Sequence, residues 1–527
     1  MVSSQLMIAF AGRELPADVA LAISERPVAG VTLFAEHNVS SVTQVRALTA
    51  QLQAAADATG YGPLLIAIDQ EGGQLIALGE ESTQFAGPMA VGAAGSTELA
   101  ERVARATAIE LRAVGVNVNY APCCDLATNP ANAALGIRSF GDDPDAVGTL
   151  VEATVRGLQA EGVAATLKHF PGAGDIDVDT HHALATVDAD ADTLLARELS
   201  PFRAGLDAGA RMVMAGHFAL PAFDADAPLP ASLSRAVITD LLREDMGFAG
   251  LAMTDALDMR ALAQGAAQVV DVIMAIRAGE DLLLGTADAD LIARMEEGLA
   301  QAELRGLTDA SAREATEGRL GTLRAWLGGF DQPDLDVVGC ADHQALASEL
   351  AARSITLVRN DDGLLPLRPD DGERIGVIQP QPTNMTPADT SAKVPPLLAE
   401  AIRRRHGQTE SFVVEHSPSE SQIAELVGRL AGHDLIVLGT TAASLLPAQA
   451  ALANAVLALG KPTVNIALRT PWDIASFPEA RTYVCSYGIL PPTIEALAAA
   501  LFGEAAFSGH LPVAISGLHD RGHGLSA

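Results

Sequence analysis

The chain has 527 residues, 34 Lys and Arg against 66 Asp and Glu, a net charge of −32 and a hydrophobic content of 49%. That apolar content excludes a disordered chain, and the acidic surplus excludes nucleic acid or an anionic membrane as a partner. The length corresponds to about two to four domains at roughly 150 residues each, or to two where an α/β barrel takes about 250 alone.

Four cysteines, two of them adjacent (Cys123, Cys124), show no CxxC spacing and are too few for a disulfide framework. The N-terminal stretch MVSSQLMIAFAGRELPAD has no basic region, and its apolar run from Leu6 to Ala11 is too short for a signal sequence or a membrane span. A cytoplasmic protein is the expectation.

Apolar runs of strand length recur at Leu6 to Phe10, Gly30 to Phe34, Leu64 to Asp69, Val116 to Ala121, Ala165 to His169, Met212 to His217, Gly250 to Asp255 and Asp281 to Gly285. Their starts lie 24 to 52 residues apart. Helical stretches fill the intervals, such as ELAERVARATAIELRAVG, which follows the capping candidates Ser96 and Thr97 and stops at Gly115. Eight strands alternating with helices predict a (β/α)8 TIM-type barrel. The polar residues agree, because Asp69, Asp125, Lys168, His169, His217 and Asp255 each stand at or just beyond the end of an apolar run. In a barrel these ends converge on the face that carries the chemistry.

GGFDQPDLDVVG then reads as a linker, and a smaller α/β sandwich is expected after it. Strand-like segments at 354–360, 375–380, 434–440, 462–468 and 482–488 predict a parallel sheet with helices between. The division is 1–330 for the barrel, 331–345 for the linker, 346–517 for the second domain and 518–527 for a frayed tail. No phosphate-binding glycine motif occurs, so the second domain is expected to support the active-site rim or a dimer surface.

Residues 167–188, LKHFPGAGDIDVDTHHALATVD, are the densest group of reactive side chains. A metal site is a rival reading, but there is no HExxH, no Cys/His pairing and no helix to align two ligands. Asp179 is two residues from His181, a spacing that lets a carboxylate orient an imidazole and strengthen it as an acid/base. Asp255 is the best nucleophile candidate; Asp258 competes but is expected to face the following helix. No GxSxG is present and neither Cys123 nor Cys124 has a base close in sequence. Only three lysines, Lys168, Lys393 and Lys461, stand against 31 arginines, which marks Lys168 beside His169 as a compact donor to a hydroxylated ligand. Asp69, Asp125, Arg138, Lys168 and His169 together make the array of donors and acceptors that a sugar ring requires.

KHFPGAGDIDVDTHHAL resembles the KHFPGHGDT…DSH signature of bacterial β-N-acetylglucosaminidases of glycoside hydrolase family 3, and IAIDQEGG, APCCDLATNPANAALGIRSFGDDP and GLAMTDALDM resemble further blocks of that family in order. ARSITLVRNDDGLLPL and LFGEAAFSGHLPVAI are similar to its second domain. The resemblance implies a retaining, exo-acting enzyme in which Asp255 forms a covalent glycosyl intermediate and His181, oriented by Asp179, is the acid/base. It also implies that Asp69, Asp125, Arg138, Lys168 and His169 bind the sugar that is cleaved, and that no metal, nucleotide or organic cofactor takes part.

Four residues depart from the pattern. Ala173 stands where His is usual, Ile176 where Thr is usual, and Gln74 where Arg is common. Ala77 occupies the place of a sugar-contacting Arg in relatives acting on cell-wall fragments, which argues against a muropeptide substrate. Hydrolysis is the default reaction. Phosphorolysis is the rival, since an imidazole tolerates an incoming phosphate that a carboxylate base would repel. An altered sugar specificity, a non-catalytic sugar binder and a structural assembly protein complete the alternatives; the last two leave Asp179, His181 and Asp255 without a purpose.

Overall fold

The computed structural model describes residues 2–26, 28–60, 62–177, 179–224, 229–285 and 288–526. All eight apolar runs of the first domain form strands: β1 (Leu6–Ile8), β2 (Gly30–Thr32), β3 (Leu65–Ile68), β4 (Val118–Asn119), β5 (Ala164–Phe170), β6 (Met212–Ala215), β7 (Leu251–Ala256) and β8 (Leu282–Leu284). They pair in parallel in chain order and close with β8 against β1, Leu6 opposite Leu283. Period-two alternation builds two cores. Leu65 and Ala67 pack in the barrel interior with Met7, Val118, Met212 and Met253, whereas Ile66 and Ile68 pack outward in the layer shared with the helices.

Local chemistry sets the helix ends. Ser96 accepts a hydrogen bond from the Leu99 N–H and starts the helix Thr97–Ala113, and Asp143 likewise caps Pro144–Ala160. Each buries one apolar stripe, Leu99, Ala104, Ala108 and Leu111 on the first and Val147, Leu150, Val151 and Leu158 on the second.

The second domain is a six-stranded sheet of β9 (Thr356–Asn360), β10 (Ile375–Pro380), β11 (Thr409–Val414), β12 (Leu435–Thr440), β13 (Thr463–Ala467) and β14 (Thr482–Cys485), in the order β9-β14-β13-β12-β10-β11. Two features correct the sequence reading. The sheet is mixed, since β9 runs antiparallel to β14 with Leu357 opposite Val484. An edge strand, β11, was not anticipated: TESFVV buries Thr409 and Phe412 but exposes Ser411 and Val413, so no continuous apolar run marks it.

The connection between the domains is bound to the barrel rather than loose. Arg112 donates to the Phe330 carbonyl (2.7 Å), Arg46 to that of Pro333 (2.9 Å), and the Glu110 carboxylate accepts from the Gly339 N–H (3.0 Å) and pairs with His343 Nδ1 (2.8 Å). The helix Ala341–Ser354 already begins within it. Nor does the stretch after residue 517 fray, because polar partners capture it. Arg521 pairs with Asp142 (2.7 Å) and Asp143 (2.8 Å) of the barrel, His523 Nε2 bonds the Val358 carbonyl (2.8 Å), and the Leu525 N–H donates to Leu357 (2.8 Å). Among the described residues no helix is long and apolar enough to cross a membrane.

Candidate active site

The ends of β3, β5 and β7, with the loops that follow β4 and β5, carry the predicted residues to one end of the barrel. At its floor lies a buried four-charge cluster. Lys168 Nζ is 2.6 Å from both Asp69 Oδ1 and Glu71 Oε1, and Glu71 forms a bidentate pair with Arg138 at 2.9 and 3.0 Å. Burial works to raise the Glu71 pKa, but Arg138 and Lys168 overcome it and hold the carboxyl at about 2. Two cations and two carboxylates cancel, which is what lets Lys168 and Glu71 stay buried. Lys168 has three N–H donors and spends two, leaving one for a ligand. Glu71 was missed in the sequence, although it stands two residues beyond Asp69; its partners are 67 and 97 positions away.

Asp125 is buried, and its oxygens are committed to the protein. They accept from the N–H groups of Ala173 (2.7 Å) and His169 (3.2 Å) and from the thiol of Cys123 (3.2 Å), and Oδ2 meets His169 Nδ1 at 2.7 Å. These donors, with His169 foremost among the lowering influences, outweigh burial and hold the Asp125 carboxyl below its ordinary value. Arg138, a donor only, lies 3.4 Å from His169 Nε2, which assigns the ring proton to Nδ1. Asp125 thus orients His169, and the residues that present free polar atoms are Asp69, Lys168, Arg138 and His169. Cys123, Asp125 and His169 are close enough to hold a cation, but burial pushes the Cys123 thiol well up and Arg138 and Lys168 stand nearby, so the donor set does not fit one.

The loop after β5 carries the dyad. His181 Nδ1 lies 2.7 Å from Asp179 Oδ1, and the His181 N–H donates to the same oxygen at 2.9 Å. The imidazole is about one-third exposed, with Nε2 left for a ligand. Burial tends to lower the His181 pKa, but the Asp179 hydrogen bond and the charges of Asp255 and Asp179 raise it above the usual value. Asp179 is held below its own usual value, its bond to His181 outweighing burial. Asn132, Thr128 and Arg197, which the sequence did not single out, help fix this loop. Asn132 donates to the carbonyls of Ala173 (2.9 Å) and Gly174 (3.2 Å), and Asp175 accepts from Thr128 (3.0 Å) and Arg197 (2.6 Å). Ala173 and Ile176 are buried in the apolar layer, so the two departures from the motif act as anchors. Gly174 is required by contact: a Cβ there would stand 2.0 Å from the Leu126 carbonyl oxygen. Val178 lies outside the described residues.

Asp255 ends β7. Its Oδ1 accepts from the Ala256 N–H (2.7 Å), and among the described residues no other donor is bonded to it. Burial acts to raise its pKa, but the imidazoles of His169, His217 and His181 together with that N–H hold it below the usual carboxylate range. His217 is fully buried, bonded through Nδ1 to the Ser232 hydroxyl (2.7 Å) and through Nε2 to the Ala256 carbonyl (3.1 Å), which pins the turn bearing Asp255. Arg138, His169, Asp179, His181 and Asp255 border one small chamber of about 40 Å³. His181 and Met259 also border a larger cavity of about 420 Å³, whose wall includes Phe34, Glu36, Asp69, Ala77, Asp258, Asp288 and, from the second domain, Pro387 to Thr390 and Lys393. Asp258 therefore faces this cavity and not the following helix. Burial raises its carboxyl pKa.

This arrangement is that of a glycoside-cleaving enzyme: an ionised carboxylate, a protonatable imidazole and a set of sugar-sized polar contacts at the C-terminal end of a barrel. Residues 4–314 match the glycosyl hydrolase family 3 N terminal domain and residues 355–521 the family's C-terminal domain. The chain belongs to glycosyl hydrolase family 3. It is 31% identical to a beta-hexosaminidase A of Pseudoalteromonas piscicida, across 95% of this chain and 92% of that protein, and 31% identical to a beta-N-acetylglucosaminidase/beta-glucosidase of Cellulomonas fimi, across 86% and 84%. The solved structure of a family 3 beta-N-acetylglucosaminidase from Paenibacillus sp. str. FPU-7 superposes with a TM-score of 0.90 at 32% identity, covering 98% of both chains.

Proposed function

We propose that the protein is a retaining, exo-acting β-N-acetylglucosaminidase that releases terminal β-linked N-acetylglucosamine. The observation that carries the reading is the free carboxylate of Asp255 in one chamber with the Asp179-oriented His181. The names of the Pseudoalteromonas, Cellulomonas and Paenibacillus relatives support the sugar.

In the first step Asp255 attacks the anomeric carbon while His181 Nε2–H gives its proton to the departing oxygen, so the glycosidic bond breaks as the glycosyl ester forms. In the second, neutral His181 removes a proton from water, the hydroxide adds to the anomeric carbon, and Asp255 leaves as carboxylate. The His/Asp pair stands where most glycosidases have a second carboxylic acid. Lys168, Asp69, Arg138 and His169 hold the ring, and the fixed donors act while charge develops at the reacting carbon.

Water is the acceptor favoured by the larger cavity. Glu36, Asp258 and Asp288 line it against the lone ammonium of Lys393, a balance that opposes entry of a phosphate dianion. The four cysteines, none joined to another, support a reducing compartment such as the cytoplasm. The test is product analysis by mass spectrometry and proton NMR on an aryl β-N-acetylglucosaminide, with and without phosphate, beside Asp255→Asn. Free β-configured N-acetylglucosamine in both buffers and none from the variant is the expected result. Sugar 1-phosphate formed in phosphate would replace hydrolysis by phosphorolysis, and an α-configured first product would end the retaining mechanism.

A further inference from the structure

The two chemical steps use no residue of the second domain, yet that domain supplies part of the cavity wall beside His181. The segment that does so is held by a buried polar node. Thr390 donates through its N–H (2.8 Å) and its hydroxyl (3.0 Å) to the Gln74 carbonyl, and its hydroxyl accepts from the Ile76 N–H (3.2 Å). Next to it, Asp389 accepts from the N–H groups of Ser391 (2.7 Å) and Met385 (3.0 Å) and pairs with Arg469 at 3.1 Å. Arg469 also donates to the Gln74 side-chain oxygen. Gln74, Asp389 and Arg469 are all buried. Gln74 lies three residues beyond Glu71, the carboxylate that holds Lys168 and Arg138, so the node joins the second domain to the strand end carrying the sugar-holding groups.

Lys393 follows on the same segment. Of the three lysines, Lys168 is buried and paired with Asp69 and Glu71 beside the cleaved sugar, and Lys461 donates to the His433 carbonyl (2.5 Å). Lys393 is exposed at the cavity wall, and among the described residues no carboxylate pairs with it. It offers a strongly hydrated point charge with three donors to whatever occupies the cavity. The occupant follows from position. On the proposed reading the cleaved sugar reaches from Asp255 in the small chamber to Asp69 on the wall of the larger cavity, and His181 borders both, so the rest of the larger cavity, which Lys393 borders, receives the group whose oxygen His181 protonates. At about 420 Å³ this cavity lies within the range of roughly 300–1,000 Å³ typical of small-molecule sites.

We propose that the second domain selects the leaving group: Lys393 donates hydrogen bonds to the oxygens of a saccharide leaving group, and Arg469 is a positioning residue that keeps segment 387–393 against Gln74. The inference rests on the glycosidase reading above and adds the part of the molecule that discriminates among its substrates. Its test compares kcat and KM for two substrates of the full chain, an aryl β-N-acetylglucosaminide and N,N′-diacetylchitobiose, in the wild type, Lys393→Ala, Arg469→Ala and Arg469→Lys. Loss of a charged hydrogen bond predicts a fall of about tenfold in kcat/KM for the disaccharide in Lys393→Ala, carried by KM, and less than about twofold for the aryl substrate. Arg469→Ala shows the same selective loss, and Arg469→Lys recovers most of it. An equal loss on both substrates, or no loss on the disaccharide, in the exposed Lys393→Ala variant overturns the inference. Failure of the wild type to turn over either substrate overturns instead the N-acetylglucosaminidase reading, and this inference with it.

Discussion

A hydrogen bond of 2.7 Å joins His181 Nδ1 to Asp179. In the proposed first step His181 is protonated and Asp255 ionised, so kcat/KM is expected to fall at low pH as Asp255 takes up a proton and at high pH as His181 loses one. Because Asp179 raises the His181 pKa and the neighbouring imidazoles depress that of Asp255, both limbs lie outside the ordinary imidazole and carboxylate values. Asp179→Asn is expected to move the basic limb to lower pH and leave the acid limb in place, which a pH profile of kcat/KM measures directly. Glu71 gives a second prediction. Glu71→Gln leaves Lys168 and Arg138 buried with one carboxylate between them, and denaturant unfolding should register a loss of about 3–5 kcal/mol. At this scale the sequence was readable where reactive residue types cluster in a short stretch or end an apolar run. Asp179, His181, Lys168 and Asp255 stood out in that way, whereas Glu71, Asn132 and Arg469 could not, since their roles depend on partners brought together only by the closed barrel and the docked second domain.

The loop following β5 carries the Asp179–His181 pair, and a buried acid packs against it. Glu198 packs against Gly172, with Oε1 bonded to Arg197 (2.6 Å) and Oε2 without a hydrogen-bond partner among the described residues. Burial raises its pKa to about 7 in spite of Arg197. The folded state therefore keeps a proton that the unfolded chain releases near the ordinary value, so this group's contribution to stability falls as pH rises from about 4.5 to about 7 and is level above. The stability gap between Glu198→Gln and the wild type should widen over that window by up to about 3 kcal/mol, as followed by urea unfolding at several pH values. Glu71 acts in the opposite direction at lower pH: its depressed pKa gives stability that is complete above about 4.5 and is lost as pH falls toward about 2. The barrel elements were legible because each strand is an apolar run, five of the eight ending at or just before a polar residue. The orientation of β9 was not, since an antiparallel and a parallel buried strand share one pattern, and β11 escaped because an edge strand buries only one face.

For the molecule as a whole, the contacts that join the two domains include the strapped connection over residues 330–343, the pair Arg102–Glu349 (2.8 Å), the node at Gln74, and the C-terminal stretch. In the last, the Asp142 N–H donates to the Pro512 carbonyl (3.2 Å), the Asp142 carboxylate accepts from the Ala514 N–H (2.9 Å), and Arg521 pairs with Asp142 and Asp143. A chain ending at residue 517 loses the Arg521 pairs and the bonds of His523 and Leu525 to β9. Its thermal midpoint is expected to fall by a few degrees, roughly 2–4 °C or less per kcal/mol lost, in a calorimetric scan. The exposed ion pairs contribute little to this, and the backbone bonds to β9 most.

The node at Gln74 also has a temporal meaning. The proposed nucleophile and acid/base are both present once residue 255 has been added to the chain, but the cavity wall at 387–393 is anchored by Arg469, more than 200 residues later in synthesis. On the proposed assignments, the growing chain thus receives the groups that break the bond before the groups that choose the leaving group, and discrimination is the later of the two to be encoded in synthesis.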